Sequence, residues 1–234
     1  MKLFAKSLAA ASLSLCAVVA AVPATAQVQG KIATLDISRA IISTSALQTA
    51  YNQVATTYSA QIETRRTKSQ QRQTLLQGFD TNGDNEVNDA ELQAAQASPQ
   101  FAQLQTLEAE ITQLTNQIDA GRIFAIEQIF AQYPAALQEV VTQQQVQMVM
   151  SPGTVLYAPQ EADITALVTT SLNTKVPQVG IVPPAGWQPT RQGVQLFQEI
   201  QQTLVAAQVI QQRQQAAQQQ QQQPAGSQQA PQGR

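Results

Sequence analysis

The sequence predicts an α+β fold, mostly α: a small β head carrying a long antiparallel helical hairpin. Three observations lead there. Between Ser38 and Gln132 the chain holds one proline (Pro99) and three glycines (Gly78, Gly83, Gly121), so little there interrupts a helix. Apolar residues recur at spacings of three and four on both sides of a polar turn at residues 80–91. Short stretches of alternating apolar residues flank this long helical excursion. Arms this long would reach roughly 50 Å at about 1.5 Å per residue. No compact core covers that length, so the arms must project.

The chain opens with Lys2 and Lys6, an apolar run over residues 8–22 and then Ala24-Thr25-Ala26. That order is a secretory signal with cleavage after Ala26; a membrane anchor is the rival, but the run is short for a span and ends in Pro23. Cys16 lies inside the signal, preceded by Leu15 where a lipoprotein signal takes a small residue. The mature chain would then lack cysteine and histidine and hold 11 basic against 15 acidic residues. An exported chain without disulfides must hold itself by packing or oligomerisation. A nucleic-acid binder would be basic, so that class drops out.

Residues 27–44 give the first strand and helix start of the head: residues 31–36 alternate as a short strand, and Asp36 or Ser38 can cap the following helix. The arm occupies residues 45–145. Its outward limb carries Leu47, Tyr51, Val54, Tyr58 and Ile62, turns polar over residues 63–74, and closes with Leu75, Leu76 and Phe79. Its return limb carries Leu104, Leu107, Ile111, Leu114 and Ile118. Within the polar window, Arg65, Arg66, Lys68 and Arg72 stand against Glu63 alone. They read either as a basic band meeting acidic clients or as a solvated helix face partly neutralised by Glu108 and Glu110, and isolated charge runs favour the second. So lean a seam should flex at its distal end. Tyr58, Ile62, Arg65, Arg72, Phe101 and Leu104 are the candidates to face a client, with arm-to-arm packing as the alternative for each apolar one.

At the tip, residues 80–91 fit the twelve-residue EF-hand loop. Asp80, Asn82 and Asp84 fill positions 1, 3 and 5, Glu86 offers a carbonyl at 7, Asn88 stands at 9 and Glu91 at 12. Val87 fills the apolar eighth position, while Asn85 replaces the glycine of the sharp turn. Asparagine tolerates a left-handed backbone better than most residues. The sequence thus predicts weak calcium binding, on the order of 0.1–1 mM, as a structural clip. A polar tip that merely reverses the chain is the alternative. An EF-hand holds its helices well short of antiparallel, so the return limb must bend, and Pro99 is placed to do it.

Residues 146–175 return to the head. Residues 146–151 and 154–158 alternate about Pro152-Gly153 and predict a β-hairpin. Asp163 can cap a helix over residues 164–173 with Ile164, Leu167, Val168 and Leu172 on one face. Residues 176–212 comprise a Pro-rich linker or covering loop and one more amphipathic helix, and residues 213–234 a Gln-rich tail read as disordered. So few strands leave open edges, which several chains sharing one small barrel or sheet would close.

The order of residues 31–36, a long helical hairpin, residues 146–158 (Val-Gln-Met-Val-Met-Ser-Pro-Gly-Thr-Val-Leu-Tyr-Ala) and Asp163-Ile-Thr165 before a helix resembles the OmpH/Skp family of periplasmic chaperones. The resemblance covers roughly residues 31–173. It implies a homotrimer whose shared β-barrel head carries three coiled-coil arms around a cavity that shields unfolded outer-membrane proteins. This chain departs from the family's best-known members in being acidic and in carrying the tip loop as an insertion.

Without His or Cys in the mature chain, the usual general base and thiol nucleophile are missing. No nucleophile elbow and no phosphate-binding glycine loop is present either, so an enzyme or a nucleotide-driven device is not expected. The sequence therefore points to an ATP-independent periplasmic holdase for unfolded outer-membrane proteins. The alternatives are a calcium-binding envelope protein whose tip is the working part and a structural coiled-coil spacer. Lipid contact is left open by the sequence.

Overall fold

The computed structural model describes residues 30–222; the expected signal segment with its expected cleavage site, and the last twelve residues of the tail, lie outside them. The chain starts as strand β1 (Lys31–Thr34), and Asp36 then caps helix α1 (Ile37–Ile42) by accepting the Arg39 N–H at 2.9 Å. Thr44 caps α2 (Ser45–Thr57), which passes at Tyr58 into α3 (Ser59–Gln77). The tip turns over through α4 (Asp89–Ala95), and α5 (Pro99–Phe130) forms the return limb. Pro99 opens α5 after Ser98 has capped it, so the bend expected there is a break between two helices. α6 (Tyr133–Gln144) ends at Gln145, whose φ of 55° turns the chain into strand β2 (Val146–Met150).

The head sheet has two strands, and they run parallel, with Ile32 opposite Met148 and Thr34 opposite Met150. On the far side of β1, Thr34 makes one further bridge to Asp163. Helix α7 (Thr165–Lys175) follows, and Thr169 anchors it by donating its hydroxyl to the Ala40 carbonyl at 3.0 Å.

The core sits where α5 meets its neighbours. Ile118, Ile126 and Ile129 of α5 are fully buried with Leu47 and Val54 of α2, Ile41 of α1, Val168 and Leu172 of α7, and Ile200 of the last helix, α8 (Arg191–Gln222). Each such side chain contributes about 1.5–3 kcal/mol on burial. Between α7 and α8 the Pro-rich segment covers α5 as a strap. Gln128 brackets Gly180 with two hydrogen bonds, at 2.9 and 3.0 Å. Glu127 accepts both the N–H and the hydroxyl of Thr190, each at 2.7 Å, which starts α8. Gly121 is required here: a Cβ on it would stand 2.7 Å from the Ile181 carbonyl oxygen and 3.2 Å from the Tyr58 ring.

Farther out the arm thins. α3 lies along α5 yet has no buried residue. A second, smaller cluster at the tip gathers Phe79, Ala95 and Leu104, with Val87 and Phe101 packed against it.

Four expectations need correction. The hairpin does not form: residues 152–154 take a 3-10 turn in place of a two-residue reversal, and Val155, extended at φ −112° and ψ 122°, has no strand to pair with. β2 pairs with β1 instead. Leu167 leaves the buried face of α7 and is 42% exposed, because the face follows Ile164, Val168 and Leu172 at strict spacings of four. The helix begins at Thr165, and Asp163 binds its N–H at 2.9 Å from one position outside the cap. Finally, α8 continues to Gln222, ten residues beyond the expected end, since glutamine and alanine are adequate helix formers.

Candidate functional site

Three surfaces carry the candidate residues: the open side of the head, the arms, and the tip. β2 is an edge strand, and among the described residues nothing pairs with its outer side. Ile32 and Met148 are 45% and 46% exposed on the sheet. Beyond β2, Leu156 is wholly exposed and Tyr157 83% exposed. Two parallel strands with apolar side chains in water are a poor arrangement, because parallel sheets are normally covered on both faces.

On the arms, the sequence-predicted client residues divide. Tyr58 and Leu104 are buried between helices, so neither faces outward in this chain. Ile62, Arg65 and Phe101 are half-buried and Arg72 is exposed. Lys68 meets Glu110 at 2.6 Å across the two limbs, a partly exposed pair that contributes about 0–1 kcal/mol. Arg65, Arg66 and Arg72 do not take part in any of the salt bridges among the described residues.

The tip is wound around Glu91. Its Oε1 accepts from the Thr81 N–H (2.8 Å), the Thr81 hydroxyl (2.9 Å) and the Asn82 N–H (3.1 Å). Its Oε2 accepts from the backbone and side-chain amides of Asn88, at 3.1 and 2.9 Å. Asn88 answers as the cap of α4, completing a capping box. These donors, the Asn88 backbone first, hold the Glu91 carboxyl below its ordinary range. Asp80 accepts the N–H groups of Gly83 at 2.7 Å and Asn85 at 2.9 Å, and Gly83 and Asn85 both take positive φ, 77° and 67°. Asn82 and Asp84 likewise accept the N–H two residues on, from Asp84 and Glu86. The backbone is thus curled around Asp80, Asn82 and Asp84, but Glu91 is turned to Thr81 and Asn82. Among the described residues no group of three acidic side chains converges as a metal site.

The profile of the family described as outer membrane protein (OmpH-like) matches residues 31–172, more than half of the chain. The chain belongs to this OmpH-like family. A solved structure of an OmpH-like candidate outer membrane chaperone from Caulobacter crescentus CB15 is 17% identical, with a TM-score of 0.38, covering 70% of this chain and 93% of that one. No curated protein matches. The OmpH-like match takes in the sheet, both limbs, the tip and most of α7, while the strap and α8 lie beyond it.

That added segment carries what sequence reasoning missed. Tyr51 of α2 is half-buried beneath the Arg122 guanidinium, 5.7 Å from the ring centroid, and accepts a hydrogen bond from Gln201 of α8 at 3.3 Å. Burial pushes its phenol up to about 12 against the opposing pull of Arg122. Arg122 in turn meets Asp119 at 2.9 Å. Tyr51 was legible only as one apolar rung of a seam; its polar partners come from residues 71 and 150 positions away. The strap also encloses a cleft of about 740 Å³ against α5 and α8.

Proposed function

We propose that this OmpH-like protein is an ATP-independent periplasmic holdase, working as a homotrimer whose arms enclose unfolded outer-membrane proteins. The observation that carries the reading is the unfinished head. An open β2 edge is followed in the chain by Leu156 and Tyr157, which stand in water, and sister chains supplying strands would cover all three. Burying one such leucine contributes about 1.5–3 kcal/mol, and each of three equivalent junctions would bury it again together with Tyr157 and the strand edge. The arms then project from the shared head, and their distal seam, without a buried residue on α3, lets them adapt to guests of different size. The family description and the resemblance of residues 31–173 agree with this role. The signal segment supplies the compartment, and guests are bound through many weak contacts without nucleotide.

Aggregation of a denatured porin, followed by light scattering with and without the mature protein, tests the reading. Suppression at stoichiometric trimer, undiminished in EDTA, is the expected result. A spacer would leave aggregation unchanged, and a device working through its tip would act only with metal.

The curled backbone of residues 80–86, with positive φ at Gly83 and Asn85, supports weak calcium binding at the tip as a second property. Asp80, Asn82, Asp84, the Glu86 carbonyl and Asn88 would offer oxygens, and Glu91 would have to turn from Thr81 to join them. Millimolar calcium should then raise the melting temperature of the wild type and leave that of Glu91→Gln unmoved. Equal shifts in both would remove calcium from the account.

A further inference from the structure

The cleft beneath the strap has an unusual lining for a protein surface. Ile123 of α5, Val194 and Phe197 of α8, and Trp187 of the strap form its apolar walls. Asn116, Gln117, Gln188 and Gln198 stand around them, four neutral amides that can each donate and accept. The one carboxylate of the lining is Asp119, and Arg122 already holds it at 2.9 Å. Such a lining has no unpaired charge to offer an anion or a cation. It offers apolar contact together with paired donors and acceptors, which is what an extended peptide backbone with large uncharged side chains requires.

The walls are also set in advance. Trp187 follows a tight turn closed by its own N–H to the Pro184 carbonyl at 3.1 Å, with Gly186 at φ 79°. Phe124 meets the indole edge-on, centroids 5.5 Å apart. Pro183 and Pro189 stiffen the strap on both sides, and Gln128 and Glu127 pin its ends to α5. A preformed cleft costs little to order on binding.

We propose that this cleft binds an uncharged, extended polypeptide segment bearing aromatic or branched aliphatic side chains, as a fixed contact point for a guest chain at the root of the arms. The proposal rests on the holdase reading and names one place where a guest is gripped. The chain's own tail does not fill the site. From Val194 to Gln222 α8 runs about 42 Å at 1.5 Å per residue, which twelve further residues span only when fully stretched. Those residues, 223–234, also contain no aromatic and no branched aliphatic side chain.

Trp187 is the only tryptophan, so it reports on the site directly. A short capped peptide alternating phenylalanine or valine with serine is titrated into the mature protein, with an alanine-for-phenylalanine/valine peptide and inorganic phosphate as controls. Trp187 emission should shift to shorter wavelength and saturate with the first peptide alone. Gln198→Phe and Gln117→Phe each place a ring in the cleft from an exposed position on a different helix. Either should weaken binding about tenfold or more, by calorimetry, with circular dichroism unchanged. Absence of a saturable response, or variants that bind as tightly as the wild type, would overturn the proposal. So would a mass that depends on these two residues, which would make a sister chain the occupant. The porin assay separates the two ideas: suppression without any Trp187 response sinks the cleft alone, whereas peptide binding without suppression supports the cleft and sinks the holdase.

Discussion

Glu91 shows how much one residue can organise. Five donors from Thr81, Asn82 and Asn88 converge on its carboxylate, and the residue is 7% exposed although it belongs to the polar tip. Its spacing from Asp80 was legible as the twelfth position of a calcium loop, but its hydrogen-bonding role was not. A sequence gives the spacing of oxygens, and only the fold decides whether they face a cation or the chain's own N–H groups. Because folding lowers the carboxyl's affinity for protons, its contribution is complete above the ordinary glutamic acid value of about 4.3. It is lost as pH falls through the depressed folded value. Amide exchange at Thr81, Asn82 and Asn88 should therefore accelerate below about pH 4 relative to the α5 core, beyond the intrinsic pH trend, and Glu91→Gln should show that acceleration already at neutral pH. Protection that is the same in wild type and variant would deny Glu91 this role.

Elements were legible where local periodicity decides them and obscure where distant partners do. Asp36, Thr44 and Ser98 cap helices as short-range chemistry dictates, and the seam of Leu47, Val54, Leu104 and Ile118 is buried as its spacing required. The strand at residues 154–158 failed because a strand needs a neighbour, and within one chain the 3-10 turn at Pro152 takes its place away. The parallel β1–β2 pair, 115 positions apart at Lys31 and Val146, carries no local signal at all. α3 is as lean as its polar window over residues 63–74 requires. With no buried residue in 19 positions, its amides should exchange with opening free energies well below those of α2 and the second half of α5. Hydrogen–deuterium exchange by mass spectrometry resolves these segments, and equal protection along both limbs would contradict a compliant distal arm.

At the scale of the molecule, one chain gives a core that is complete on one side and open on the other. Ile126, Ile129, Val168 and Ile200 close the side where α5 meets α7 and α8. The β2 edge, Met148, Leu156 and Tyr157 leave the other side unfinished. With Cys16 as its single cysteine, the chain cannot form an internal disulfide to offset that exposure. On the proposed reading, association closes it, projecting arms then surround a shared space, and holding a guest chain follows. The mass of the mature protein in solution, by light scattering at micromolar concentration, tests this most directly. A value of three chains, falling toward one when Leu156 and Tyr157 are both replaced by serine, is the predicted result; a well-folded single chain in the wild type would contradict the account.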